Sequence, residues 1–532
     1  MKQTSKILAL VIALCMVLSL SAFASGEASG GGSGGMGMPG GGGSSEPDSY
    51  DAVLEITEDT DLDGVAMESV NGDENIIHVF DGATAKISNS SFVNGGTGGG
   101  GDSASFYGVG ATLFVSDGEM YVENVDIDST VSGGAGVFAY KDGVAYVSNA
   151  DISTTQGSAG GLHVAGGGTL YAWDCNVETQ AGMAAAAIRS DRGGGLMVID
   201  GGRYVTNGGT GAVYVTADIS IHDAYLYTGG SEAVAIEGKN TIRLFDCELE
   251  GDMIANSIND NKVWNIIVYQ SMSGDADVGT SHFEMVGGEL TTHAGPILYN
   301  TNTSSYITFK DVDITRNEDT TYFLQVTGNS SSRTWGRAGA NGANCIFTAV
   351  EQVMPGDVVY DTISNLDFYM LEGSSLEGAM NCDDSFNGGN SGDGIANVYI
   401  DADSVWTVTG DSVITGTLYL EGAVENAKIV DESGKVLAGD GAFTVTVGAL
   451  ETTVDASGAG EVPVWEDYAV ENPFAEDAAS GEPSGETAAV PAADGGDASG
   501  EASNMPDGSM PPPPPADLAP GEEPPGGFGG ID

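Results

Sequence analysis

Basic residues are scarce: 16 Lys and Arg stand against 77 Asp and Glu, for a formal net charge of −61. A chain that neutralises phosphates needs a cationic patch, so nucleic acid is excluded as a partner, and anionic membrane surfaces with it. Cysteine is nearly absent too. Of five, Cys15 lies in an apolar leader, and the remaining four form no C-x-x-C pair, which leaves zinc without a ligand pattern. Long apolar runs are missing beyond Ile7–Leu20. That run is short of the roughly 20 residues a membrane span needs. It follows Lys2 and Lys6 and precedes Ala22-Phe23-Ala24 and Ser25, the signature of a signal peptide at 1–24. The expected product is secreted or cell-surface-associated, with no membrane insertion once the signal is removed.

What is abundant is glycine, 82 of 532 residues, concentrated at the ends and between apolar stretches. Residues 25–49 are nearly all Gly, Ser and Met, and 456–532 are Ala, Gly, Pro and acid, including Pro511 to Pro515. Such compositions bury too little apolar surface to offset the entropy of ordering. Both are expected to be disordered, as a Gly-rich linker and an acidic Pro/Gly-rich tail. The folded region is then 50–455.

Inside it a period emerges. The frames W-D-C-N-V-E and F-D-C-E-L-E align on the residue before the cysteine, and equivalent marks stand at Asn124, Asn149, Asp174, Asp200, Asp223, Asp246, Gly287 and Asp311. The intervals are 25, 25, 26, 23, 23, 41 and 24, a stacked solenoid with one insertion. Four and two residues before each mark the columns are apolar, as in Met120, Ala145 and Leu170 or Val122, Val147 and Ala172. Three after it stand Ile127, Ile152 and Val177, with Arg203 as an exception where the turn slips. Inward positions at a period of two are strands, and Asn, Asp or Gly at the mark suits a left-handed corner. The expectation is all-β: a single right-handed parallel β-helix, best defined over 115–315 and continued over 340–455.

The position after the mark is small throughout, including Ala150, Cys175, Ala224 and Cys247. Three coils separate the two cysteines, roughly 14 Å at a strand spacing of ~4.8 Å, too far for a disulfide. They read as buried, reduced core residues. Cys345 and Cys382 have no visible register, and a bond between them stays open.

The repeats, with G-S-E-A-V-A-I-E-G-K-N-T-I-R-L-F-D-C-E-L-E-G, W-G-R-A-G-A-N-G-A-N and D-S-V-W-T-V-T-G-D-S, resemble the pectate-lyase-like superfamily across roughly 50–455, and within it an adhesin-like group of exported bacterial proteins. That resemblance implies a surface protein that binds an extracellular polysaccharide or surface glycan; a monomer is expected. The alternative it implies is a polysaccharide lyase or glycoside hydrolase on an acidic polymer. Paired acid and base residues would be needed for the latter. Asp383-Asp384 is the lone D-D pair and G-H-G and R-x-K motifs are missing, so no catalytic residue is assigned and binding is favoured.

Ligand contacts are expected on outward columns: Phe138, His163 and Arg189 in one, with Trp173 and Phe245 one place before the mark. Asp126, Asp128, Asp151 and Glu178 stack on outward positions of adjacent coils. Carboxylates forced together in this way repel unless a cation intervenes, and oxygen ligands suit Ca²⁺. They are the candidate metal residues.

Overall fold

The computed structural model describes residues 45–475, apart from 98–99, 181–184, 258 and 272–273. The expected signal peptide, the linker up to residue 44 and the tail beyond 475 lie outside the described residues. Two compact units divide the chain, Met1–Glu476 and Asp477–Asp532, and every described residue belongs to the first. Strand accounts for 53% and helix for 4%, so the chain is mostly β and its helices form no layer of their own.

Strands pair in parallel with the strand one coil before and one coil after, which is the pattern of a solenoid. Three ladders form the stack, the third being interrupted after Asp313–Arg316 and resumed as a separate four-stranded sheet. The first includes Leu162–Ala165, Ile188–Ser190 and Val213–Val215. Gly168–Trp173, Gly195–Asp200 and Asp218–His222 belong to the second. The third holds Asn176–Thr179, Arg203–Thr206 and Tyr225–Thr228. Two long strands, Leu113–Ser129 and Val137–Thr154, pass through all three. Ala427–Asp431 with Val436–Ala438 is the antiparallel exception among the described strands.

The apolar columns stack as the period requires. One runs from Val122 through Val147, Ala172, Ile199, Ile221 and Leu244 to Met285 and Phe309, each opposite the next. All are buried, and each except Ala172 contributes on the order of 1.5–3 kcal/mol. Because every side chain packs against its equivalents in the neighbouring coils, stability accumulates from coil-to-coil contacts.

Corners confirm the mark and correct it once. Asn124, Asn149, Asp174, Asp223, Asp246 and Asp311 all hold positive φ, between 49° and 53°. In the coil expected to turn at Asp200, Gly201 does so instead, with φ 74°, while Asp200 pairs with Trp173. This coil carries one more residue before its corner, so its inward residues are Met197, Ile199 and Tyr204. Arg203 is therefore no exception. It faces solvent over the Tyr225 ring, and Tyr204 takes the core place beside Val177.

All four cysteines of the folded region are free thiols. Cys175 and Cys247 are completely buried and donate weakly to the carbonyls of Trp173 and Phe245. Burial pushes both thiols up to about 12. Cys345 sits in the second ladder and Cys382 in the first, and they form no bond.

The boundary drawn at 456 falls short. Residues 456–475 lie along the outside of the stack, including the 3₁₀ turns Ala456–Gly458 and Trp465–Asp467. Three aromatic side chains in an otherwise acidic stretch supply the anchors that its composition concealed.

Candidate functional site

Register places Phe138, His163 and Arg189 opposite one another on the outside of the first ladder, as expected. They are not on the surface. Helix α1, Gly101–Tyr107, and its flanks cover this column, leaving Phe138 and His163 fully buried and Arg189 nearly so. His163 lies 4.1 Å from the Phe138 ring, centroid to centroid. Asp191 joins the column's polar end: its Oδ2 accepts from Arg189 Nε at 2.6 Å and lies 3.0 Å from His163 Nε2. Arg189 also donates to Ser105 Oγ of α1 at 3.0 Å. Burial pulls His163 down to about 4, against the opposing pull of Asp191. This is a buried polar clamp holding α1 against the stack.

Trp173 and Phe245 belong to a different face. They share a column of the second ladder with Asp200 and His222, so the five expected contact residues do not form one surface. Both rings are buried. Phe474 meets Trp173 at 6.4 Å, and Trp465 and Tyr468 meet Phe245 at 5.6 and 5.8 Å.

The acidic columns have the predicted register: Asp126 opposite Asp151, then Asn176, and Asp128 opposite Ser153, then Glu178. The protein itself relieves part of the repulsion. Asn176 donates to Asp151 at 2.9 Å, and Glu178 accepts from Gln180 and Asn207 at 3.1 Å. Among the described residues no three His, Cys, Asp or Glu side chains converge as a metal site. Asp126 and Asp151 supply few of the six to eight oxygens Ca²⁺ takes.

A further candidate lies along the first ladder, in a cleft of about 340 Å³. Tyr299 and Gln325, successive outward residues, form its floor. Trp264 and Pro296 come from loops preceding the strands, Tyr322 from a strand start, and Phe386 from the 3₁₀ turn Asp384–Asn387. Trp264 packs on Tyr299 at 5.4 Å, and Tyr322 meets Phe386 edge-on at 6.0 Å. Lys262 and Asp319 bring charge to the lining. The volume sits at the lower end of the range for small-ligand sites, which combine apolar walls with a few polar groups.

One wall is held rigidly. Gly328 opens a loop anchored by Arg333, whose guanidinium pairs with buried Glu232 at 2.6 Å and donates to the Tyr269 hydroxyl at 3.0 Å. Arg333 and Thr334 hold left-handed backbone, φ 57° and 64°. Such conformations cost about 1–3 kcal/mol each and persist where surrounding contacts over-determine them.

Sequence reading missed this cleft, because its residues stand on loops between repeats. The available signal was the 41-residue interval from Asp246 to Gly287, an insertion that carries Lys262 and Trp264. A second hollow, about 500 Å³ at the first coil, is lined by Asp51, Glu55, Asp73 and Glu74. Its charge disfavours an acidic polymer. Compared with family models, curated proteins and solved structures, the chain finds no match.

Proposed function

We propose that this is a secreted, monomeric, adhesin-like protein that binds an extracellular glycan without cleaving it. Its stack is read as a right-handed parallel β-helix, the hand that parallel crossovers between right-twisted strands adopt. The observation that carries the reading is the aromatic cleft at Trp264, Tyr299, Tyr322 and Phe386. Half-buried Tyr322 and Phe386 offer ring faces that suit the apolar faces of sugars above a floor of buried Trp264 and Tyr299, while Gln325, Lys262 and Asp319 offer partners for hydroxyls.

The enzymatic alternative loses support from the same geometry. Arg189, the cation in the expected contact column that a lyase could use as a base, is buried and engaged with Asp191 and Ser105. A positioned acid and base with separated pKa values is not recognisable in the cleft.

The test is a glycan screen on purified protein, with product analysis alongside. Binding that falls about tenfold or more in Tyr322→Ala supports the reading, since losing an anchoring ring removes on the order of 1–2 kcal/mol. New reducing ends or unsaturated uronates in the wild-type digest would make the protein an enzyme and overturn it.

A further inference from the structure

Residues 456–475 take an unusual route. Gly458 lies against Tyr369, and Gly460 N–H donates to Thr348 Oγ1 at 2.8 Å. Trp465 then stacks on His222, Tyr468 lies over Arg243 with the guanidinium 4.3 Å from its ring, and Phe474 reaches Trp173 and Tyr121. The segment therefore runs backwards along the outside of the second ladder. From Tyr369 to Tyr121 the register takes nine steps, roughly 43 Å at ~4.8 Å per step. The sixteen Cα-to-Cα steps from Gly458 to Phe474 reach about 53 Å when extended, enough to cover the distance with one turn at Trp465–Asp467.

How the segment is held matters more than where it goes. It contributes no strand to any ladder. Its hydrogen bonds to its own backbone close local turns, and Gly460 to Thr348 is the one described bond from its backbone to the stack. None of its residues is buried, whereas Trp173, Phe245 and Tyr369 beneath it are. A few ring contacts, worth about 0.5–1.5 kcal/mol each beyond burial, keep an aromatic row out of water. The segment is a weakly fastened cover over a face where aromatic rings alternate with polar and charged side chains such as Asp200 and Arg243.

We infer that this covered face is a second ligand-binding face, for an extended sugar polymer, closed in cis by residues 456–475. The rings beneath it already serve as platforms for other rings. His222 accepts Trp465 in near-parallel contact, 4.7 Å between centroids and 9° between planes, and Phe245 lies between Trp465 and Tyr468. A flat pyranose face presents C–H groups to an aromatic surface as these side chains do. Platforms on successive coils suit a polymer rather than a single ring. Tethering gives the cover an effective concentration in the millimolar range, so a polymer must engage several platforms to displace it. The choice of sugar as ligand rests on the function proposed above, but the face is separate from the cleft.

The test uses the full chain carrying Trp465→Ala and Phe474→Ala. Hydrogen exchange across 456–475 should rise at least tenfold while the second-ladder strands keep their protection. Affinity for the polymeric glycan found by the screen, or for the whole panel if the wild type binds none, should rise about tenfold. Adding Trp173→Ala should remove the gain, and adding Tyr322→Ala should leave it. An opened segment with no gain in binding overturns the inference, as does a gain insensitive to Trp173→Ala. A gain in the opened protein alone would support the face while sinking the cleft.

Discussion

Trp465 lies flat on His222, 4.7 Å away and within 9° of parallel, joining the C-terminal segment to the middle of the stack. His222 is itself held from below, with Nδ1 2.7 Å from Asp200 Oδ1. Trp465→Ala should therefore free the segment without loosening its platform. Hydrogen exchange should quicken across 456–475 by about 1–2 kcal/mol of local opening, with the global unfolding midpoint nearly unchanged. A cooperative loss of protection through the second ladder would show that the segment is integral to the fold.

Two buried histidines tie stability to pH. Burial pulls both His163 and His78 down to about 4, so the folded protein binds fewer protons than the unfolded chain wherever a free histidine titrates. Their contribution is complete above the ordinary value near 6.5 and is lost as pH falls through the window from there to about 4. Unfolding free energy measured by denaturant should drop on the order of 2–3 kcal/mol for His163 across that window. His163→Asn should flatten the slope, and an unaltered slope would assign it elsewhere.

Thiol chemistry should follow depth. Cys175, Cys247 and Cys345 are buried and pushed up to about 12, while half-buried Cys382 is pushed only to about 11. A thiol reagent on native protein should modify Cys382 first and slowly, and the other three only on unfolding. Mapped labelling of Cys175 before denaturation would contradict its place in the core.

Charge repulsion should be measurable where Asp126 faces Asp151. Like charges directly opposite on a sheet destabilise by a few tenths of a kcal/mol, so Asp126→Asn should raise the melting temperature at low salt. The gain should shrink at high salt, where exposed charges are screened. With too few oxygens for Ca²⁺ on this column, added Ca²⁺ should shift wild type and Asp126→Asn equally; a larger rise in the wild type would place a cation there.

The inside of this protein was legible in its sequence, because an inward side chain recurs at the same place in every coil and repetition turns a weak local signal into columns. Period, corners, core cysteines and acidic register all came from that redundancy. Even the slip at Arg203 was visible, although only the pairing of Trp173 with Asp200 showed that the corner had moved to Gly201.

The outside was decided by tertiary structure. An outward position on a strand is exposed only if nothing lies over it, and what lies over it comes from non-repeating sequence outside the coil. Helix α1 buries Phe138 and His163, Trp465 and Phe474 close off Phe245 and Trp173, and Phe386 completes a cleft begun by Trp264. These contacts join segments from about thirty to about three hundred residues apart with no period to align them. Sequence periodicity determines which way a side chain points relative to its own strand, and only the folded chain determines whether water or another ring meets it there.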